Sequence, residues 1–226
     1  MRDATPASPA QTVYLKDYRP PAYLVESVHL TFRLAPNATR VLSRIAFRPN
    51  PDAPGTFELH GEKLTPVSFA IDGAPVSPKI GDSGLTCDVP DGPFTWEAEV
   101  EIDPAANTAL EGLYMSNGMY CTQCEAEGFR KITWYPDRPD VMAPFTVRVE
   151  GDAPVLLSNG NPADAGDGWA EWVDPWPKPA YLFALVAGDL VAHRDSFTTR
   201  SGRAVDLALW GRPGDEDKCA IGMAAL

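Results

Sequence analysis

The sequence predicts an all-β protein, a large antiparallel β-sandwich or saddle-like domain, and three observations lead to this prediction. Several segments alternate apolar and polar residues with a period of two, which is typical of strands with one buried face. Turn-forming residues separate these segments at short intervals. The 226 residues also include 23 prolines and 18 glycines, which disfavour long helices through most of the chain.

The first half of the chain shows the alternation most clearly. From Phe94 to Ile102, apolar residues occupy every second position, which predicts a strand buried on one face. Residues 28–34 and 41–48 alternate in the same way on either side of a Pro-Asn-Ala turn, so they predict an antiparallel hairpin. Residues 1–22 are polar and proline-rich and are expected to form an extended lead-in arm. Three shorter strands are predicted at residues 56–59, 66–71 and 85–89.

The second half of the chain is less regular. Residues 104–144 show weak alternation and many aromatic side chains, a composition typical of a functional loop or a packed connection. The continuous apolar run at residues 181–186 predicts a strand buried on both faces. Further strands are predicted at residues 145–149, 155–158, 169–173 and 205–210.

The C-terminal residues predict the beginning of a helix. After Gly214, acidic residues occupy the expected first turn, and Ile221, Met223 and Leu226 would be the apolar positions. A natural domain seldom ends within the second or third turn of a helix. We therefore expect this sequence to be the N-terminal part of a longer protein, truncated inside the helix.

The charge of the chain limits its partners. The formal net charge is −12 at pH 7, from 31 acidic and 19 basic side chains. Such a surface repels nucleic-acid phosphates and anionic lipid heads, so we expect neither a nucleic-acid nor a membrane partner. No apolar run is long enough to span a bilayer, and the first residues lack the apolar stretch of a signal peptide. A cytoplasmic protein is predicted, with a monomer as the default expectation.

The motif Cys121-Thr-Gln-Cys124 has three interpretations. A structural zinc site would need two further ligands, and no second pair of cysteines or histidines is spaced to supply them. A redox dithiol would stand at the start of a helix after a strand, and that context is missing. Packed, unreactive thiols are therefore preferred, with the redox pair and the half zinc site left as alternatives. The sequence also lacks HExxH, GxSxG and P-loop motifs, so no metal ligand is predicted.

Two acidic residues, Glu125 and Glu127, lie among apolar and aromatic neighbours in the irregular segment. Most such pairs are solvated surface residues. A carboxylate held among apolar groups is costly unless it meets a cation. Either the ammonium group of a ligand or a nearby arginine, Arg130 or Arg138, would supply that cation.

Six long stretches in a fixed order carry a family resemblance: ANTALEGLY (106–114), CTQCEAEGF (121–129), ITWYPDRPD (132–140), LLSNGN (156–161), DPWPKPAYLFALVAGD (174–189) and FTTRSGR (197–203). The chain resembles, from about Asp17 onward, the bacterial aminopeptidase N (alanyl aminopeptidase) family of gluzincin zinc metallopeptidases. The resemblance implies an N-terminal β-domain over residues 1–195 and the first strand and helix of the catalytic domain over residues 196–226. The family's GAMEN and HExxH motifs would lie beyond Leu226.

The resemblance also implies roles for two residues. In this family the segment that matches Gln123-Cys-Glu-Ala126 projects into the active-site cleft. Glu125 would bind the free α-amino group of a peptide substrate, and Gln123 would line the first side-chain pocket. The family also implies a cis peptide bond between Glu125 and Ala126. No catalytic and no metal-binding residue is implied within this chain.

The predicted function is that of an N-terminal fragment of a zinc-dependent aminopeptidase, which cleaves N-terminal amino acids from peptides. Zinc would be bound by the full-length enzyme and not by this part, so the fragment is expected to be inactive alone. Its expected partners are the N-terminus of a peptide substrate and its own missing catalytic domain. The alternative is a stand-alone β-sandwich binding module without catalytic activity, and a CxxC redox protein is a weaker third hypothesis.

Overall fold

The computed structural model describes residues 14–225 and confirms the all-β prediction. Within this range strands dominate, and the one α-helix, α1, covers Glu216–Ala225. Three short 3-10 helices lie at Leu15–Asp17, Phe129–Lys131 and Ala180–Leu182. The strands, numbered along the chain, are β1 (Tyr23–Arg33), β2 (Thr39–Pro49), β3 (Glu58–His60), β4 (Thr65–Ile71), β5 (Ala74–Pro75), β6 (Lys79–Ile80), β7 (Gly84–Thr86), β8 (Phe94–Ile102), β9 (Gly112–Ser116), β10 (Met119–Gln123), β11 (Met142–Glu150), β12 (Val155–Ser158), β13 (Asn161–Gly166), β14 (Trp169–Pro179), β15 (Leu185–Gly188), β16 (Val191–Thr198) and β17 (Ala204–Gly211).

An eight-stranded sheet forms the framework, in the order β13-β14-β11-β1-β2-β8-β4-β5. β1 and β2 pair antiparallel, as their alternation predicts, with Val28 opposite Ile45. β8 alternates buried and half-buried residues along its whole length and pairs antiparallel with β2. The pairing of β1 with β11 is parallel, so this sheet is mixed and not wholly antiparallel as expected.

Three sheets enclose one apolar core. A four-stranded sheet, β12-β15-β10-β9, and a three-stranded sheet, β3-β7-β6, contribute buried side chains to the same cluster as the large sheet. Phe32 of β1 stacks on Phe183 with 5.8 Å between ring centroids, and Phe47 of β2 meets Phe57 edge-on at 5.0 Å. Full burial of such a side chain contributes about 1.5–3 kcal/mol. Packing between the sheets is therefore a main source of stability.

The segment 104–144 is more regular than its weak alternation predicts. It contains a hairpin in which β9 and β10 are joined by Asn117 and Gly118. Both turn residues have positive φ, 48° and 81°, as a type I′ turn requires. An Asn-Gly pair is a hairpin signal in the sequence, but the flanking strands have only five residues each and show little alternation.

Several other elements differ from the predictions. The predicted strand over residues 181–186 is wrong in its first half, because the Phe183 amide donates to the Ala180 carbonyl at 3.0 Å and closes a 3-10 turn. β15 begins only at Leu185. β3 and β7 are shorter than predicted. Besides the β9–β10 hairpin, the sequence does not predict β5, β6, β13 or β16. β13 pairs with β14, and β16 pairs with β17.

The C-terminal part consists of the β16–β17 ribbon and α1, which packs against it. Met223 is buried, whereas Ile221 is 81% exposed, so only one of these two predicted apolar positions is covered. Leu226 lies outside the described residues. Arg212 follows β17 and donates to the Ser116 carbonyl at 2.9 Å, which joins the ribbon to β9. Over residues 14–225, no helix has the length and apolar character needed to cross a membrane.

Candidate functional site

The sequence-predicted residues lie in and beside a short loop, residues 124–128, between β10 and the 3-10 helix at Phe129–Lys131. The ends of this 124–128 loop are buried. Cys124 is 2% exposed, and the Gly128 amide donates to the Cys124 carbonyl at 2.8 Å. The three residues between these ends are exposed. The loop is therefore a closed turn with a fixed base and a solvent-exposed tip.

Glycine is required at position 128 because the turn brings two other backbone segments close to it. A Cβ atom at this position would lie 2.4 Å from the Gln123 carbonyl oxygen and 3.0 Å from the Gly112 amide nitrogen. Separations that short are strongly repulsive, so a larger residue would push the loop away from β10 and β9.

The structure brings the two predicted substrate-binding residues together. Gln123 is the last residue of β10, and its Nε2 donates to the Glu125 carbonyl oxygen at 3.2 Å. The peptide bond between Glu125 and Ala126 is cis, which confirms the sequence-based expectation. Both Gln123 and Glu125 are exposed. Among residues 14–225 Glu125 makes no ion pair, so its carboxylate is available to a ligand cation.

Glu127 differs from Glu125 because it has an arginine partner. Its Oε1 lies 3.2 Å from Nη2 of Arg130. Arg138, the other arginine considered from the sequence, instead pairs with Asp140. The two acids of the loop therefore have different environments: Glu127 lies beside a guanidinium, and Glu125 has no ion-pair partner among the described residues.

A buried ion pair that the sequence analysis does not predict lies beside the loop. Arg130 donates from its backbone amide and from Nε to Oδ2 of Asp137, at 3.1 Å each, and from Nη2 to the Asp137 carbonyl at 3.0 Å. The side chains are 11% and 3% exposed. Burial raises the pKa of Asp137, although the hydrogen bonds and charge of Arg130 oppose this shift. In the sequence, this ion pair is indicated only by the presence of an arginine and an aspartate in an apolar segment, where buried charges need a partner.

His60 on β3 completes this cluster. Its Nδ1 accepts a hydrogen bond from the Asp137 amide at 3.0 Å, which requires the neutral ring with its proton on Nε2. Burial, followed by the charge of Arg130, lowers the pKa of His60. His60 therefore holds the backbone around Asp137 and, through it, the position of Arg130.

A cavity of about 720 Å³ opens beside this cluster. Its lining includes Glu127, Arg130, residues 19–22 of the predicted lead-in arm and Tyr23 of β1, but neither Gln123 nor Glu125. The cavity and the free carboxylate are separate features of the surface. Residues 1–13 of the predicted arm lie outside the described range.

The two cysteines of the CxxC motif are free thiols. Burial raises the pKa of Cys124 far above its usual range and also raises the pKa of Cys121. Because the thiolate is the reactive and metal-binding form, these shifts favour packed thiols over redox or metal chemistry. In the part of the chain that the structure describes, no three His, Cys, Asp or Glu residues lie close enough to hold a metal ion. Zinc therefore does not fit the described residues.

Comparison with known proteins identifies the family. The model of the Peptidase M1 N-terminal domain matches residues 82–182. Aminopeptidase N of Caulobacter vibrioides is 47% identical over 239 aligned residues, which cover 100% of this chain. The chain belongs to the M1 peptidase family. The crystal structure of Legionella pneumophila aminopeptidase A in complex with aspartic acid matches 91% of this chain, with a TM-score of 0.83 and 32% identity.

The chain spans about a quarter of the length of these relatives, 27% of the Caulobacter protein and 26% of the Legionella chain. An M1 zinc metallopeptidase from Deinococcus radiodurans shares the fold, with a TM-score of 0.71 and 15% identity over 85% of this chain and 48% of its own. The resemblance to the N-terminal domain of bacterial aminopeptidase N is confirmed. The region matched by the family model includes the whole 124–128 loop.

Proposed function

We propose that this chain is the N-terminal part of a zinc-dependent aminopeptidase and that Glu125 binds the α-ammonium group of the substrate. The observation that carries the proposal is the difference between two neighbouring acids. Glu127 is paired with Arg130, whereas Glu125 is exposed and has no ion pair among the described residues. The 47% identity to a protein named aminopeptidase N, over the whole chain, supports the reaction class.

Glu125 would act by recognising charge. A peptide has an α-ammonium group only at its N-terminus, whereas its internal amides are neutral. A hydrogen bond from an ammonium group to a carboxylate is worth about 1.5–3 kcal/mol, so a free carboxylate favours the terminal residue. An anchored terminus also fixes which peptide bond reaches the reacting groups.

Gln123 would act in two ways. Its Nε2 holds the Glu125 carbonyl and so orients the backbone that carries the anchor. We expect the remainder of its exposed side chain to contact the first side chain of the substrate, as part of that pocket.

We assign the catalytic chemistry to the part of the relatives' sequences that this chain does not cover. A zinc ion bound there would polarise the scissile carbonyl and activate water. The residues of this chain bind and orient the substrate terminus, and the chain alone is expected to be inactive. In this proposal residues 1–195 form the N-terminal domain and residues 196–226 begin the catalytic domain, with the boundary inside β16. A cytoplasmic location and a monomeric state stay predictions.

The exchange Glu125→Gln in the complete gene product tests the role of Glu125. Glutamine keeps the size of the side chain but loses the charge, so we expect kcat/KM for an aminoacyl para-nitroanilide to fall about tenfold or more, through KM. The zinc content of the enzyme should not change. Glu111→Gln is the matched control, because Glu111 is a partly exposed acid that pairs with Lys131 outside the loop. Unchanged kinetics in Glu125→Gln would remove Glu125 from this role.

The second candidate is a stand-alone binding module, which the shared apolar core of the three sheets favours because the domain has its own core. It predicts that the gene encodes no catalytic region. An aminopeptidase activity of the complete gene product would exclude it.

A further inference from the structure

The tip of the 124–128 loop is held from both sides. On one side, the side-chain Nε2 of Gln123 donates to the Glu125 carbonyl at 3.2 Å. On the other side, the carboxylate of Glu127 lies 3.2 Å from the guanidinium of Arg130. The loop base is closed by the hydrogen bond from the Gly128 amide to the Cys124 carbonyl. Glu125 therefore lies between two contacts that hold the loop, the Gln123 hydrogen bond and the Glu127–Arg130 ion pair. Only the ion pair depends on a carboxylate.

In the Glu127–Arg130 ion pair, Arg130 is the immobile partner. Its backbone amide, Nε and Nη2 all donate to Asp137, whose side chain is 3% exposed. Its own carbonyl accepts the Glu62 amide at 3.0 Å. A guanidinium held at this many points cannot follow a moving carboxylate, so the carboxylate of Glu127 is drawn to a defined place.

We propose that Glu127 is a positioning residue, which through Arg130 holds the loop so that the Glu125 carboxylate keeps one direction. This inference rests on the proposed role of Glu125 as the amine anchor. An anchor sets the register of the substrate only if it keeps its own place, because displacements of about 1 Å lower rates by up to about a hundredfold.

If Glu127 acted only by stabilising the fold, its variants would have a lower midpoint of thermal denaturation. Its side chain is 70% exposed, and exposed ion pairs contribute little to stability. Variants at this position are therefore expected to fold with an unchanged midpoint of thermal denaturation. A change in ligand recognition in such variants would report on the loop and not on the fold.

Glu127 could also act at a distance, by adding negative charge near the substrate ammonium. Two substitutions separate this effect from positioning. Glu127→Asp keeps the charge but shortens the side chain by about 1.5 Å, which takes the carboxylate out of reach of Arg130. Glu127→Gln loses the charge but keeps the reach and an oxygen that Arg130 can bind.

The experiment measures competitive inhibition of the complete gene product by L-leucinamide and by isocaproamide, which lacks the amino group. The ratio of the two inhibition constants is the preference for the ammonium group. We expect Glu127→Asp to lower this preference about tenfold and Glu127→Gln to lower it less than about threefold. The reverse order would assign Glu127 a purely electrostatic effect, and unchanged preference in both variants would assign it none. Either result overturns the proposal.

Glu125→Gln in the same series separates this inference from the proposed function. If Glu125→Gln abolishes the preference while both Glu127 variants keep it, only the positioning role fails. If Glu125→Gln keeps the preference, the anchor itself is elsewhere and both proposals fail.

Discussion

Arg130 has more acidic partners than its single charge can compensate. Asp137 and Glu127 lie 3.1 and 3.2 Å from its guanidinium, and Glu62 lies at 3.9 Å. Glu125 adds a further carboxylate, without an ion pair in the described range. Glu62 is shared with Lys131, whose Nζ lies 3.8 Å from it. The acidic side chains of the cluster still outnumber its basic ones, so its net charge is negative. Such a surplus attracts cations, which agrees with the recognition of an ammonium group proposed for this loop.

His60 makes the stability of this region depend on pH. Its pKa in the folded protein is lower than the usual 6.5, so below about pH 6.5 the unfolded chain binds more protons at this residue than the folded chain. The contribution of His60 to stability is complete above pH 6.5 and declines as the pH falls toward the folded-state pKa. The raised pKa of Asp137 has the opposite effect. The folded chain binds more protons at Asp137 than the unfolded chain, so this residue adds stability as the pH falls through its folded-state pKa toward 3.8.

We expect His60→Asn to reduce the loss of stability between about pH 7.5 and about pH 5.5. The Asn Oδ1 can replace Nδ1 as acceptor for the Asp137 amide, but it does not titrate. Urea denaturation of the chain at both pH values measures the effect. His29→Asn is the control, because His29 is exposed on β1 and accepts no such bond in the described structure. An equal loss of stability in His60→Asn and in the parent chain would contradict this explanation.

At the scale of elements, the β9–β10 hairpin presents the loop, because Gln123 ends β10 and residue 124 follows directly. The turn of this hairpin depends on Gly118, whose φ is 81°. A side chain in this conformation costs about 1–2 kcal/mol.

We therefore expect Gly118→Ala to lower the free energy of unfolding by about 1 kcal/mol. The loss comes from the backbone alone, since a Cβ at Gly118 would meet no atom within 4 Å. Gly92→Ala is the matched control, because Gly92 has the same open surroundings without a positive φ. Urea denaturation of both variants tests this, and equal stability of the two would show that the turn tolerates a side chain.

The predictability of the strands follows from their burial. β8 and the β1–β2 hairpin can be predicted because one face of each strand is buried and the other is accessible to solvent. Apolar and polar residues therefore alternate along them. β13 cannot be predicted in this way, because all its residues are exposed. The run at residues 181–186 is apolar throughout, and such a run does not distinguish a strand from a 3-10 turn followed by a strand.

The site was predictable only in part. The family resemblance leads to Gln123 and Glu125 and to the cis bond between Glu125 and Ala126. The residues alone leave open which acid meets an arginine, since that choice depends on how the turn directs the two carboxylates. Asp137 and His60 reach Arg130 from other parts of the chain, and no sequence spacing encodes that contact.

At the scale of the whole molecule, the three-sheet core provides a rigid support for one exposed loop. The net charge of −12 and the free carboxylate favour a cationic group as ligand. The described residues hold no group that could bind a catalytic metal ion. The proposed function therefore places substrate recognition in this chain and the catalytic chemistry in the rest of the complete enzyme.

The most direct test compares the complete gene product with the 226-residue chain alone, each supplied with zinc. The substrates are an aminoacyl para-nitroanilide and its N-acetylated form, before and after treatment with a zinc chelator. The account predicts that the complete product hydrolyses only the free-amine substrate, that chelation abolishes this activity, and that the chain alone hydrolyses neither. Hydrolysis by the chain alone, or equal hydrolysis of the acetylated substrate by the complete product, would contradict it.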